Sequence, residues 1–356
     1  PPRTPRHAAW LAGMATLYVA LRVTLDAANS ADDLFYPAWR RHPVKQPLFV
    51  LAAARSGTTF LHRLLALDTE RFFTPRLYET VLPAVSLLRA LQVLGRADDR
   101  LGAPAARLLA RLERGLFRGW NDIHPMGLAM PEEDEAIFVH TLFSPALYLL
   151  LPNFKGLAHV SSPANLEPDA RREMMGFYRD CLTRMLYAGD GEHTLLVKNV
   201  LSAGRTTALL ETFPDMRVVS PIRHPFEAIP SLVSMFHRVW AALLPDETVV
   251  DHHAFARIAM DYYLECFEFG AKLPTEDYVR VRYEDLTMDP KGSVEKVYAH
   301  LGLEPSPAFL ERLTREAATA ARFRSVHHYE LSDFDLDPAE IRRVLAPVFD
   351  QCSFDA

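Results

Sequence analysis

The stretch from Pro47 to Asp68, PLFVLAAARSGTTFLHRLLALD, constrains the fold more than any other part of the chain. An apolar run, PLFVLAA, ends in a polar turn, and TTFLHRLLAL then follows with helical spacing. A short apolar run bounded by a turn is consistent with a buried parallel strand. Residues 52–59 read Ala-Ala-Ala-Arg-Ser-Gly-Thr-Thr. Set against the phosphate-loop pattern G-x-x-x-x-G-K-[ST], they keep Gly57 and Thr59, while Ala52 replaces the first Gly and Thr58 the Lys. Such a turn still suits an anion, because the N–H groups at a helix N-terminus point outward and carry about half a positive charge. Arg55 adds a guanidinium, and Thr58 and Thr59 add hydroxyl donors. The Lys that would reach a γ-phosphate is missing. The loop is therefore suited to holding a phosphate and ill suited to cutting a nucleoside triphosphate.

The α/β pattern recurs along the chain. Strands are predicted at 47–53, 194–199, 216–222 and 278–284, with helices between them. GRTTALLETF reads as a helix that Pro214 ends, and PFEAIPSLVSMFHRVW as one that opens with Pro225 near its first position. Asp289-Pro290 starts another helix, which Gly302 stops. Together these predict a P-loop-type, mostly parallel sheet flanked by helices. Between the first two strands lies a Leu/Ala/Arg-rich insertion, residues 77–190. It predicts two or three helices broken at Pro83 and Pro104, then the turn-rich NDIHPMGLAMPEEDEA, and then an apolar helix to about Leu151. A loop over 152–168 and a helix from Arg171 to Ala188 complete it. The insertion is expected over the carboxyl edge of the sheet, where α/β proteins bind ligands. The 356 residues then divide into a lead-in, 1–46, and one α/β domain, 47–356.

In the lead-in, Ala8 to Leu21 carries no charge and follows a basic PPRTPRH. The run falls short of the roughly 20 residues that span a bilayer, and Arg22 and Asp26 come soon after it. Three readings stay open. The segment packs on the domain as an amphipathic helix, or it is a secretory signal with Ala27 and Ala28 near its cleavage point. The third is peripheral contact with a membrane through residues 8–25, with Trp10 and Tyr18 flanking the run and Arg3, Arg6 and Arg22 facing headgroups. Lys plus Arg total 39 against 45 Asp plus Glu, a net charge of −6, which disfavours nucleic acid as a partner. Cys181, Cys266 and Cys352 are far apart and lack metal-ligand spacing, so no metal and a reducing, cytoplasmic compartment are expected. Only 6 of the 39 basic residues are Lys, which makes Lys198 at the end of the apolar TLLVKN stand out. The plain alternative is a Lys that snorkels from a strand end.

A second constellation pairs Arg223, at the end of the strand RVVSPI, with Ser231 in the helix that follows. By itself the pair also fits a surface Arg and a helix-buried Ser. Taken with the first loop, however, the chain resembles the family of sulfotransferases that use 3′-phosphoadenosine 5′-phosphosulfate (PAPS). PLFVLAAARSGTTFLHRLLALD is similar to their 5′-phosphosulfate loop, VVSPIRHPFEAIPSLVSMF to their 3′-phosphate segment, and VRYEDLTMDPKGSVEKVYAHLGL to the strand and helix beyond. The likeness runs over residues 47–303, and more loosely to the end. It is nearer the bacterial and tyrosylprotein-type branch than the cytosolic steroid/phenol branch. The resemblance implies that Arg55, Ser56, Gly57, Thr58 and Thr59 hold the 5′-phosphosulfate and that Arg223 and Ser231 hold the 3′-phosphate. It puts Tyr283 near the adenine, with Arg322 and Arg324 as candidates for a further 3′-phosphate contact. Lys198 matches the family's strand Lys, which polarises the bridging oxygen. The product would be 3′-phosphoadenosine 5′-phosphate (PAP), and no metal is implied.

Sulfuryl transfer needs an acceptor hydroxyl in line with the sulfur, a base for its proton, and cations on the leaving oxygen. The cytosolic branch places a His two residues after the strand Lys, where this chain has Val200. Glu79 in RLYETVLP is the first candidate base, His124 in NDIHPMG the second, and Glu133 in PEEDE the third. Glu132, Glu133 and Asp134 also read simply as acids in a helix first turn after Pro131. His327 and His328 read as structural or acceptor-facing. The Leu, Ala and Phe of the insertion suit a large hydroxylated, lipid-like acceptor, or equally a helical lid. Two other functions remain in view, a P-loop nucleotide-dependent kinase and a non-catalytic nucleotide- or membrane-binding module. Sulfuryl transfer to any acceptor separates these from the first reading.

Overall fold

The computed structural model describes residues 4–116, 127–162, 164, 166–189, 192–244, 250–320 and 330–354. Five strands, β1 (Leu48–Val50), β2 (Phe72–Phe73), β3 (Thr194–Lys198), β4 (Arg217–Ile222) and β5 (Tyr278–Arg282), form one sheet in the order β2-β3-β1-β4-β5. Every pairing is parallel, and Phe49 of the central β1 lies opposite Val197 and Val218. Both faces of the sheet are covered. Leu48, Val50, Leu196 and Val219 pack with Leu61 and Leu64 of helix Thr58–Leu65 and with Val294 and Val297 of helix Pro290–His300. Phe49, Leu195, Val197 and Val218 face the other way, onto Tyr178, Leu182 and Met185 of helix Pro168–Ala188. Two covered faces explain why β1 reads as an unbroken apolar run rather than an alternation. Each fully buried Leu, Val or Phe contributes about 1.5–3 kcal/mol of burial free energy, which opposes the entropy lost in ordering the strand.

The predicted P-loop-type parallel sheet flanked by helices is the fold observed. The sequence reading missed β2, whose two residues are too few to show a period; it pairs with β3 through Phe72–Thr194 and Phe73–Leu195. The insertion is less uniform than expected. Helix Pro168–Ala188 covers a sheet face, whereas residues 131–135 cross the carboxyl end of β3. Helices Val85–Arg100 and Pro104–Leu116 form a hairpin whose residues 90–97 are all exposed. The expected apolar helix to Leu151 is replaced by two short ones, Glu135–Val139 and Leu147–Leu150. Leu142 between them has φ 59°, and the Ser144 hydroxyl donates to Glu135 at 2.5 Å. Pro145 also disfavours helical geometry at the residue before it.

The N-terminal helix runs from Pro5 to Phe35, far beyond the uncharged segment. It runs on through Arg22 and Asp26, which pair at 2.9 Å across one turn. Contacts along its length tie it to the domain. His7 Nε2 lies 3.0 Å from the Leu150 carbonyl oxygen, and the Tyr18 hydroxyl donates to that of His140 at 3.0 Å. The buried Asp32 carboxylate accepts the Val85 and Ser86 N–H groups, each at 2.7 Å, and so caps a helix that begins 53 residues later.

Candidate active site

The phosphate loop leaves β1 and enters helix Thr58–Leu65 through two left-handed residues, Arg55 (φ 67°) and Gly57 (φ 90°). A side chain at residue 57 is excluded twice. The backbone conformation disfavours one, and a Cβ there would stand 2.8 Å from Tyr283 Cδ2. At Arg55 the same conformation costs of order 1 kcal/mol, a strain found mainly at functional sites. It turns the guanidinium across the sheet edge, where Nε donates to Ser231 Oγ at 3.0 Å. Arg223 Nη1 in turn donates to the Arg55 carbonyl at 3.3 Å, and the Arg223 guanidinium lies 4.4 Å from the Tyr283 ring centre. Glu227 pairs with Arg223 at 2.7 Å, and the Tyr263 hydroxyl donates to its carbonyl. Arg55, Gly57, Arg223, Ser231 and Tyr283 thus meet in one cluster.

A second cluster gathers at the end of β3. Lys198 is buried, and its Nζ donates to Thr59 Oγ1 at 2.9 Å while lying 2.9 Å from Glu133 and 3.6 Å from Glu132. Lys198 is therefore not a Lys snorkelling from the strand end, since its charge is buried and paired with carboxylates rather than reaching solvent. Under the loop, Ser56 is fully buried and its hydroxyl has no hydrogen-bond partner among the described residues. An unpaired buried hydroxyl costs about 1–3 kcal/mol, which an anion accepting from it would remove. A cavity of about 500 Å³ lined by Trp39, His42, Arg179 and Phe213 opens beside Asp215. It lies at the amino ends of the strands, on the wrong edge for ligand binding in this class of sheet.

Residues 47–307 match the family model described as Sulfotransferase family. The chain belongs to the sulfotransferase family. It is 27% identical over 292 residues to the omega-hydroxy-beta-dihydromenaquinone-9 sulfotransferase Stf3 of Mycobacterium bovis, a match covering 80% of this chain and 70% of the relative. The Mycobacterium tuberculosis protein of the same name matches at the same identity and coverage. Among solved structures, the sulfotransferase STF9 of Mycobacterium avium superposes with a TM-score of 0.74 at 18% identity, covering 92% of this chain and 81% of that one. STF1 of Mycobacterium tuberculosis gives 0.66 at 20%, covering 94% and 85%. At these identities the two structures speak for the fold.

In this sulfotransferase, Glu79 is buried and both of its oxygens are engaged. One accepts the Arg76 N–H at 2.8 Å and the other the Tyr78 hydroxyl at 3.0 Å. Burial raises its pKa against those bonds. Residues 76 and 131 form an antiparallel bridge, so the Glu79 segment lies against the acidic one. His124, Arg322, Arg324, His327 and His328 lie outside the described residues.

The sequence reading missed the buried network that fixes the acidic segment. Asn199 Nδ2 donates to Asp134 at 2.6 Å and to Glu135 at 2.8 Å, while its Oδ1 accepts the Leu201 and Ser202 N–H groups. Arg205 donates to both Glu135 oxygens at 2.8 and 2.9 Å, and the Tyr178 hydroxyl donates to Asp134 at 2.5 Å. Burial pushes Asp134 up to about 7 despite these donors. Burial, then Lys198, hold His62 down at about 3, so its imidazole is neutral at physiological pH. An Asn directly after the strand Lys was the available signal, because Asn at a strand end commonly caps the next turn.

Proposed function

We propose that the chain transfers a sulfuryl group from PAPS to a hydroxyl of a hydrophobic, lipid-like acceptor. The observation that carries this reading is the meeting of the two phosphate segments, Arg55 to Ser231, at 3.0 Å. The donor's two phosphate positions need cations on both sides of one edge, and the fold supplies Arg55 and Arg223 there. The orphaned Ser56 hydroxyl and the left-handed turn that Gly57 allows against Tyr283 fit a 5′-phosphosulfate. Ser231 and Arg223 suit the 3′-phosphate, and Tyr283 the adenine. Each charge-assisted contact is worth about 1.5–3 kcal/mol, enough to outweigh a net charge of −6 on the chain.

In this mechanism Lys198, oriented by Thr59 and Glu133, puts its positive charge where the leaving oxygen develops negative charge. Glu79 takes the acceptor proton. Its burial-raised pKa makes it the better base of the two described candidates, because a base works best when its pKa approaches the working pH. Glu133 has its charge engaged by Lys198. An acceptor of lipid-like character is supported by Stf3, whose name gives a hydroxylated menaquinone as its substrate.

The test is incubation of the purified protein with sulfur-labelled PAPS and a cell lipid extract, with mass spectrometry of the products. Labelled sulfate ester in the lipid fraction is expected. ATP hydrolysis stimulated by magnesium, with no transfer of label, would replace this reading with a kinase-like one.

A further inference from the structure

We propose that the helical hairpin Val85–Leu116 is a docking surface for an anionic lipid bilayer, with helix Pro5–Phe35 lying in the same interface. Two features of the hairpin point away from solvent and toward lipid. Its second helix, Pro104–Leu116, has no buried residue among positions 104–115, so it contributes almost nothing to the core. Yet it is strongly two-sided. Ala105, Leu108, Leu109 and Leu112 follow the i, i+3, i+4, i+7 spacing of one apolar stripe, while Arg107, Arg111 and Arg114 occupy the opposite side. Leu108 and Leu112 are 58% and 62% exposed, and Leu101 and Leu94 at the hairpin's turn and first helix are 78% and 64% exposed. An amphipathic helix that turns its leucines outward is the pattern of a helix lying in a membrane interface.

The hairpin is held in this posture by the fold. Asp98 accepts the Ala105 and Ala106 N–H groups at 2.8 and 2.9 Å, fixing the turn between the helices. The Gln92 amide donates to the Ala188 carbonyl at 3.2 Å, anchoring the base of the first helix. Helix Pro5–Phe35 packs on the opening of that same helix through Leu25 and Ala28, and it exposes Val19 and Val23 at 57% and 63%. It is long and apolar enough to cross a bilayer by length and composition. Its contacts to the domain at His7, Tyr18 and Asp32 hold it along the surface instead.

Charge selects the occupant. Residues 85–116 carry six Arg against Asp98, Asp99 and Glu113, a local charge of +3 in a chain of net charge −6. A second copy would set +3 against +3, whereas acidic headgroups complement it, as polybasic segments do at anionic membrane surfaces. The surface is independent of the reaction, because vesicle binding needs neither donor nor acceptor.

The experiment is flotation of the full chain with vesicles of phosphatidylcholine alone or with phosphatidylglycerol added. Binding is expected to the anionic vesicles and to fall sharply near 1 M salt, where the screening length is about 3 Å. Leu108→Asp with Leu112→Asp should lower the bound fraction at least tenfold with PAP affinity unchanged, and Arg107→Gln with Arg111→Gln should lower it at low salt. Loss of PAP binding in the leucine variant would overturn the assignment of these residues to a separate surface. Absence of flotation, or equal flotation of the variants, would overturn the proposal. So would a dimer in light scattering that the leucine variant dissociates without any vesicle binding.

Discussion

Two parts of one insertion, residues 131–135 and residues 90–116, are built on opposite terms. In the first, the four consecutive acids Glu132 to Glu135 are held by the buried Lys198, Asn199, Arg205 and Tyr178. In the second, the contacts are local or at the base, and the apolar side chains face outward. The difference lies in what each must hold. A charge placed beside a reacting group has to be fixed to within about half an ångström, which takes a shell of satisfied hydrogen bonds. A surface that meets a fluid partner needs only the right apolar and charged distribution. The same contrast appears in range. At the carboxyl edge, hydrogen bonds link residues 176 and 139 positions apart, so the sheet itself sets the geometry.

Substitutions at the edge should act on chemistry, in descending size. Glu79→Gln should lower turnover by about 10²–10⁴-fold, the usual worth of a general base, with PAP affinity retained. Turnover that survives in single-turnover assays passes the role to Glu133 or His124. If Lys198 carries the charge proposed to face the leaving oxygen, Lys198→Ala should cost about 10²–10³-fold in turnover. It should also destabilise the fold by roughly 3 kcal/mol in urea unfolding, since Glu132 and Glu133 lose their buried partner. Equal effects from removing an exposed Leu of the hairpin would erase the distinction between the two regions.

The smallest effect concerns Asp134, whose folded pKa is raised to about 7 by burial. A raised acid binds its proton more tightly when folded, so its contribution to stability is full at low pH and is lost as pH rises toward about 7. The slope from one such group is at most about 1.4 kcal/mol per pH unit. Asp134→Asn should flatten the decline in unfolding free energy between pH 5 and 7. An unchanged profile would show that Asp134 titrates normally.

Much of the edge was legible in the chain. A strand, a turn with Arg55 and Gly57, and a helix follow from local spacing, and the second segment repeats the pattern around Arg223 and Ser231. What could not be read is what depends on pairing at a distance. The Asp32 carboxylate caps a helix 53 residues later, and no local signal marks it. Glu132, Glu133 and Asp134 read equally well as helix first-turn acids, because only the tertiary fold brings Lys198 and Asn199 to them. Pro145 is the local mark of the break in the helix expected to reach Leu151, since the residue before a proline is disfavoured in helical geometry. Leu108 and Leu112 illustrate the reverse case, since helical apolar spacing predicts a packed face and says nothing of what packs against it.

The claim on which the account turns is that one edge of the sheet holds both phosphate positions of a PAPS-type nucleotide. Calorimetric titration of PAP into the wild type, Arg55→Ala and Arg223→Ala proteins tests it most directly. Loss of a charge-assisted contact worth about 1.5–3 kcal/mol predicts at least a tenfold weaker dissociation constant in each variant. Affinity unchanged by either substitution, or no binding of PAP to the wild type, would contradict it.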